Sequence, residues 1–186
     1  LEERRMLRQM LDGGAAAPPT SSAGRLFDAA SAILGLCHEN RYEGQAPMEL
    51  ESLAGLAKDE CGEYPVAMER GEGGFAVPTA PLIRALAEDA AGGIARPIAA
   101  ARFHNSVARI VLEGCRELRR TTGLATVALS GGVFANAWLL GRAMALLRED
   151  GFEPLANEAV PAGDGGIALG QAASATAAAG VPCADT

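Results

Sequence analysis

Apolar residues recur at three- and four-residue intervals over most of this chain, which predicts a largely helical start. Leu1, Met6, Leu7, Met10 and Leu11 keep helical spacing until Gly13-Gly14. A proline- and alanine-rich linker follows over 15–20, with Pro18-Pro19 inside it. Ser21 or Ser22 suits the N-cap of a second helix through Leu26, Phe27, Ala30, Ile33 and Leu34, stopping at Gly35. Beyond Gly44, Met48, Leu50, Leu53 and Leu56 define a third. Tyr64–Met68 and Phe75–Val77 read as short strands around a turn at Glu69–Gly74. Pro81 fits the first turn of a helix through Leu82, Ile83 and Leu86. After Gly92-Gly93 a long helix runs from Pro97 to about Thr121, with Ile98, Phe103, Val107, Ile110 and Val111 inward.

From there the pattern alternates. A strand over 125–130 leads to a helix over 134–149, a strand at about 152–156, a glycine loop and a helix over 165–179. Strand–helix alternation implies an α/β layer with parallel strands, and such layers bind ligands at the carboxyl ends of their strands. The pattern divides the chain into a helix and linker over 1–19 and one α/β domain or lobe over 20–186.

Three glycine-bearing loops stand where an α/β layer would bind an anion. In VALSGGVFAN (127–136) a strand stops at Ser130-Gly131-Gly132 and a helical pattern starts near Phe134. Paired glycines let a backbone approach a ligand closely, and the N–H groups that open a helix attract phosphate. A plain strand–helix turn explains the same glycines, so the weight comes from the companion loops VPAGDGG (160–166) and SSAGRLFD (21–28). Asn136 adds a directional side chain in the first turn. Asp164 reads either as a helix N-cap or as a carboxylate facing a metal or phosphate. Asp28 reads as a solvated helix residue or as an acceptor for a ribose hydroxyl. The acidic residues around Gly44 (Glu43, Glu49 and Glu51) read mostly as solvent-facing, with acceptance from a ribose as a second reading for Glu49.

Composition narrows the function classes. The net charge of −7 opposes non-specific binding to nucleic acid or to anionic membranes. No apolar run reaches the roughly 20 residues of a membrane span, and no signal peptide is visible. The chain opens on Leu1 in mid-helix, which points to a piece cut from something longer. Four widely spaced cysteines without a CxxC pair give no zinc-finger pattern and suit reduced, cytoplasmic thiols. Two histidines are too few for a self-contained metal centre. His104, in an apolar helix, reads as a satisfied, partly buried histidine, and His38 as a loop residue. No Ser–His–Asp spacing occurs. The chain has ligand-cradling loops and almost no catalytic machinery, which points to one lobe of a larger enzyme.

The stretches TSSAGRLFDAASAILGL (20–36), YEGQAPMELE (42–51), APLIRAL (80–86), IAAARFHNSVA (98–108), ALSGGVFAN (128–136) and VPAGDGGIALGQA (160–172) occur in the order found in the HypF family, the carbamoyltransferases of [NiFe]-hydrogenase maturation. The chain resembles the C-terminal part of that family from Thr20 onward. That part is similar to the tRNA threonylcarbamoyl transferases (TsaD-like). The resemblance implies an α/β fold: one lobe of a Kae-like domain of the actin-like, sugar-kinase and Hsp70 ATPase superfamily (ribonuclease H-like), with extra helices. It implies a nucleotide site with Asp28 on the ribose, Gly44 and Glu49 beside the adenosine, and Gly131, Gly132 and Asn136 on the phosphates. The YEGQ stretch departs from the TsaD-like PGG pattern. Asp164 would be one ligand of a divalent metal (iron, zinc or magnesium), its HxxxH histidines lying outside this chain.

The same resemblance implies a two-stage reaction. A YrdC-like domain makes carbamoyl-adenylate from carbamoyl phosphate and ATP, and the carbamoyl group passes to the C-terminal cysteine of HypE on its way to the cyanide ligands of the hydrogenase iron. The missing N-terminal lobe and YrdC-like domain are then necessary partners, and the isolated lobe is expected to be inactive. Its exposed lobe–lobe face would favour a homodimer. The competing readings are a kinase or ATPase lobe of the same superfamily, a small-molecule O-carbamoyltransferase and a non-catalytic docking module.

Overall fold

The computed structural model describes residues 2–13, 18, 20–71 and 74–180. Most of the linker expected over 15–20 lies outside the described residues, as do Leu1 and Cys183. The helix before it is present as α1 (Glu2–Asp12), closed by the Gly13 N–H on the Gln9 carbonyl. All its residues are exposed, the expected apolar stripe of Met6, Leu7, Met10 and Leu11 included.

The core is built around one long helix. α2 (Ala23–Ile33) starts where Ser22 accepts from the Arg25 N–H, so Ser22 is the cap. α3 (Gln45–Ala54) begins at Gly44, whose φ of +77° suits glycine and few other residues. It ends before Leu56, which is exposed. A hairpin of β1 (Glu69–Gly71) and β2 (Gly74–Ala76) precedes α4 (Ala80–Ala91) and the 27-residue α5 (Arg96–Thr122). At 1.5 Å per residue α5 is about 40 Å long. It ends at Gly123, whose φ of +74° and N–H bond to Arg119 form a glycine C-cap. Phe27, Leu50, Leu82, Leu86, Phe103 and Leu112 are fully buried between α5 and the helices packed on it.

The structure moves one expected strand. Tyr64–Met68 is irregular, and the pairing falls over Glu69–Gly71, inside the segment expected to turn. The Tyr64 N–H is drawn instead to the buried Ser106 Oγ on α5, 2.7 Å away, so this stretch bonds to a helix rather than to a strand. The hairpin that does form lies on α5 through Phe75, packed over Gly114, and Arg70, bidentate to Glu117.

The remainder is a β–α–β unit. β3 (Thr126–Leu129) and β4 (Glu153–Ala156) are parallel, with Thr126 opposite Glu153 and Leu129 opposite Ala156. Between them lie a 3₁₀ turn (Gly132–Ala135) and α6 (Ala137–Glu149). After β4 come a second 3₁₀ turn (Asp164–Gly166) and α7 (Ile167–Ala178). The helix expected from 134 thus starts at 137, because Gly131–Ala135 winds more tightly first. Among the described residues the parallel layer has two strands. α7 buries none of its residues, Ile167 and Leu169 included. No described helix is long and apolar enough to cross a membrane.

Candidate functional site

The carboxyl ends of β3 and β4 bring two of the three glycine loops together. The Gly131 N–H donates to the Ala162 carbonyl at 2.8 Å, and Gly163 lies against Gly132 so closely that a Cβ there would meet the Gly132 Cα at 3.5 Å. Gly131 has φ +103° and ψ 156°, a conformation essentially confined to glycine. That geometry turns the chain sharply out of β3. The N–H groups of Gly132 and Val133 then have no partner among the described residues. Gly132 is exposed, and nothing lies within 4 Å of where its Cβ would be. Two free amides on an open glycine turn at a strand end are the kind of donor from which anions accept.

The turn is held from behind by side chains of α3 and α5. Asn136 is 8% exposed and caps α6, its Oδ1 accepting from the Leu139 N–H at 2.8 Å. That bond fixes the amide orientation, so Nδ2 faces His104 and donates to its Nε2 at 3.0 Å. The other ring nitrogen, Nδ1, is 2.8 Å from the Ala100 carbonyl, which only accepts, so Nδ1 carries the proton. His104 is wholly buried, with Phe27, Phe103 and Trp138 around its ring. Burial lowers its pKa from 6.5 to about 4, against a smaller opposing effect of the Ala100 bond, and the imidazole is neutral.

Glu51 completes the clamp. Its Oε1 accepts from the N–H of Ala137 at 2.7 Å and of Trp138 at 3.1 Å. The first three amides of α6 are therefore taken by this chain's own Glu51 and Asn136. The N–H groups left without a partner among the described residues are those of Gly132 and Val133, one turn before α6. The Trp138 indole donates to Asn105, whose amide in turn donates to the carbonyls of Glu60 and Gly62.

The other expected site residues divide. Glu49 accepts from Gln45 on its own helix at 2.7 Å, and Gln45 accepts from the Arg41 N–H, so Glu49 braces the start of α3 beside Gly44. Asp28 pairs with Arg25 at 2.9 Å, yet that contact is too poorly aligned for a hydrogen bond and leaves Asp28 Oδ2 buried without one. The third segment expected as a glycine loop, 21–28, is helical instead: Ala23–Asp28 form the first turns of α2, from which the Phe27 ring meets His104 edge-on at 5.2 Å. Asp164 is exposed and opens the second 3₁₀ turn without a side-chain cap bond. Among the described residues no three His, Cys, Asp or Glu side chains group as a metal site, and a lone carboxylate does not hold a divalent ion. Sequence reasoning missed Glu51, 86 residues from its partner Ala137, because a cap supplied by a distant helix has no local signature. It placed His104 as a satisfied histidine but only partly buried.

A helical core on a parallel β–α–β unit, with glycine turns joined at the strand ends, is the architecture of the second subdomain of a Kae1-like carbamoyltransferase domain. The family model described as "Carbamoyltransferase, Kae1-like Domain, second subdomain" matches residues 1–171. The chain belongs to the HypF carbamoyltransferase family. It is 40% identical over 169 residues to carbamoyltransferase HypF of Rhizobium leguminosarum bv. viciae, covering 91% of this chain and 21% of that protein. With the Synechocystis carbamoyltransferase HypF it shares 35% over 167 residues, or 89% of this chain and 20% of that one. A crystal structure of full-length HypF in the phosphate- and nucleotide-bound form superposes with a TM-score of 0.84 at 34% identity, over 95% of this chain and 23% of that one. For T. kodakarensis HypF the TM-score is 0.77 at 29% identity, over 92% and 22%. The chain spans about a fifth of the length of these curated relatives.

Proposed function

We propose that this chain is the C-terminal lobe of the nucleotide cleft of an actin-like-superfamily (ribonuclease H-like) domain, within a carbamoyltransferase that consumes carbamoyl phosphate and ATP. The observation that carries the reading is the joined pair of glycine turns, with the N–H groups of Gly132 and Val133 free. Asp28, ion-paired with Arg25 at 2.9 Å, would contact the ribose. Gly44 and Glu49 would line the adenosine. The uncovered α7, with Ile167 and Leu169 exposed, supports an incomplete lobe. We assign its cover to the N-terminal lobe of the same domain.

In the transfer step the thiolate of the HypE C-terminal cysteine attacks the carbamoyl carbon of carbamoyl-adenylate. A C–S bond forms, the C–O bond to the phosphate breaks, and AMP leaves with the electron pair. The thiol proton goes to solvent. The products are a carbamoylated cysteine and AMP. Gly132 and Val133 would donate to the phosphate as negative charge returns to it, the same role backbone N–H groups play in an oxyanion hole. His104, neutral and buried, takes no part in proton transfer. Asp164 supplies at most one ligand to a divalent metal, the others coming from outside this chain. The location would be cytoplasmic.

The test follows labelled carbamoyl phosphate into HypE with ATP, using the full-length protein as wild type, Gly132→Ala and Asp164→Ala. Transfer by wild type, with both variants failing while still forming the adenylate, is the expected result. Normal transfer by both variants would make the glycine turns structural and favour a docking role.

A further inference from the structure

The phosphate turn rests on groups that never reach the ligand. Asn136 ends the 3₁₀ turn and opens α6, so its position sets both the direction of α6 and the orientation of the Gly132 and Val133 amides. One side of its amide is used by the Leu139 N–H at 2.8 Å and the other by His104 at 3.0 Å. His104 is in turn aimed by the Ala100 carbonyl, one turn back on the rigid interior of α5. Each side-chain atom in this chain of contacts has its role set by its neighbour: Asn136 Oδ1 accepts, Nδ2 donates, His104 Nε2 accepts and Nδ1 donates. The imidazole must present a bare Nε2. Any group there that cannot accept leaves the Asn136 amide buried without a partner.

We infer that His104 is a positioning residue for nucleotide binding: by accepting the hydrogen bond of Asn136 through Nε2, it fixes the glycine turn whose free amides hold the phosphate. The inference rests on the nucleotide role proposed above for that turn. It assigns Asn136 to the support of the turn and the phosphate contact to Gly132 and Val133. Glu51 is the second support, since it holds Ala137 and Trp138 from α3.

The experiment titrates ADP into the full-length protein and reads hydrogen exchange of the peptide spanning 130–136, which reports this site separately from any other nucleotide site. Wild type, His104→Leu and His104→Gln are compared. Leucine removes the acceptor, whereas glutamine can present its side-chain oxygen to Asn136. In wild type ADP should slow exchange of the turn. The half-saturating ADP concentration should rise about tenfold or more in His104→Leu, the usual consequence of leaving a buried donor unpaired, and glutamine should recover most of that loss. A purely structural role would lower the melting temperature without this selective rescue of affinity. Equal half-saturation for wild type and a well-folded His104→Leu overturns the inference and leaves the nucleotide reading intact. Absence of ADP protection in wild type overturns both. A second measurement does not depend on a variant folding. The ¹⁵N spectrum of this chain, with two histidines, should show His104 protonated on Nδ1 and bare on Nε2 at neutral pH. The opposite tautomer also overturns the inference.

Discussion

Alanine at Gly131 and alanine at Gly132 should separate backbone strain from ligand approach within one dipeptide. A Cβ at either position meets nothing within 4 Å, so neither substitution creates a clash in the protein. They differ in backbone. Gly131 sits at φ +103°, ψ 156°, where an alanine costs about 1–3 kcal/mol. Gly132 opens the 3₁₀ turn with φ outside that range, so alanine there should change stability by less than about 0.5 kcal/mol. For a chain of this size about 1 kcal/mol is worth about 2–4 °C in Tm. Gly131→Ala should therefore melt about 2–12 °C below wild type, and Gly132→Ala within about 2 °C of it. Nucleotide affinity should behave differently. If phosphate lies against the turn, the Gly132 methyl occupies its place, and affinity should fall by tenfold or more with the fold intact. Thermal unfolding of the chain and ADP titration of the full-length protein supply the two readouts. A Gly132→Ala protein with wild-type Tm and wild-type affinity would refute the reasoning, since the open space above Gly132 would then be surface and no ligand site.

Two further outcomes follow from the clamp behind the turn. Glu51→Ala removes a charged acceptor from two amides of α6, worth about 1–2 kcal/mol in a partly buried setting. Exchange of the Ala137 and Trp138 amides should accelerate about tenfold, as hydrogen exchange will show, while exchange at β1 and β2 stays unchanged. The His104 pKa of about 4 in the folded state lies below its ordinary 6.5, so the unfolded chain binds the proton more tightly. Its contribution to stability is complete above pH 6.5 and is lost as pH falls from 6.5 to 4, by about 3 kcal/mol. Urea unfolding across that range should show this loss in wild type and not in His104→Gln, the difference between the two cancelling the carboxylates.

The helices were legible because each carried its own punctuation. Gly13 closes α1, Ser22 caps α2 and Pro81 opens α4, all short-range signals that survive without knowledge of the rest of the fold. The β–α–β order also followed from alternation, but of the three glycine-bearing segments expected at the strand ends only 130–132 and 160–166 meet there, the third being the start of α2. The first hairpin was displaced because Tyr64–Met68 has strand-like residues but a helix, through Ser106, claims its backbone donor. The glycine turns after β3 and β4 were readable as turns, and the residues that support them were not. Glu51 and Glu49 are two residues apart on one helix with the same side chain. Only three-dimensional placement decides that one reaches α6 and the other stays with Gln45.

That split has a physical origin. Glycines advertise a ligand locally, because a positive φ or a bare backbone is a property of one residue. Holding such a turn still is a collective property, since the residues that lack side chains cannot anchor themselves. Gly131 and Gly132 provide access and no grip, so the grip must come from elements far away in sequence that are already rigid. Here it comes from the interior of α5, through His104, and from α3, through Glu51. Both are packed into the same apolar core as Phe27 and Phe103. The geometry of the glycine turn is therefore set by the helical core, and with the nucleotide role proposed for that turn, core substitutions that tilt α5 should loosen nucleotide binding before they unfold the lobe.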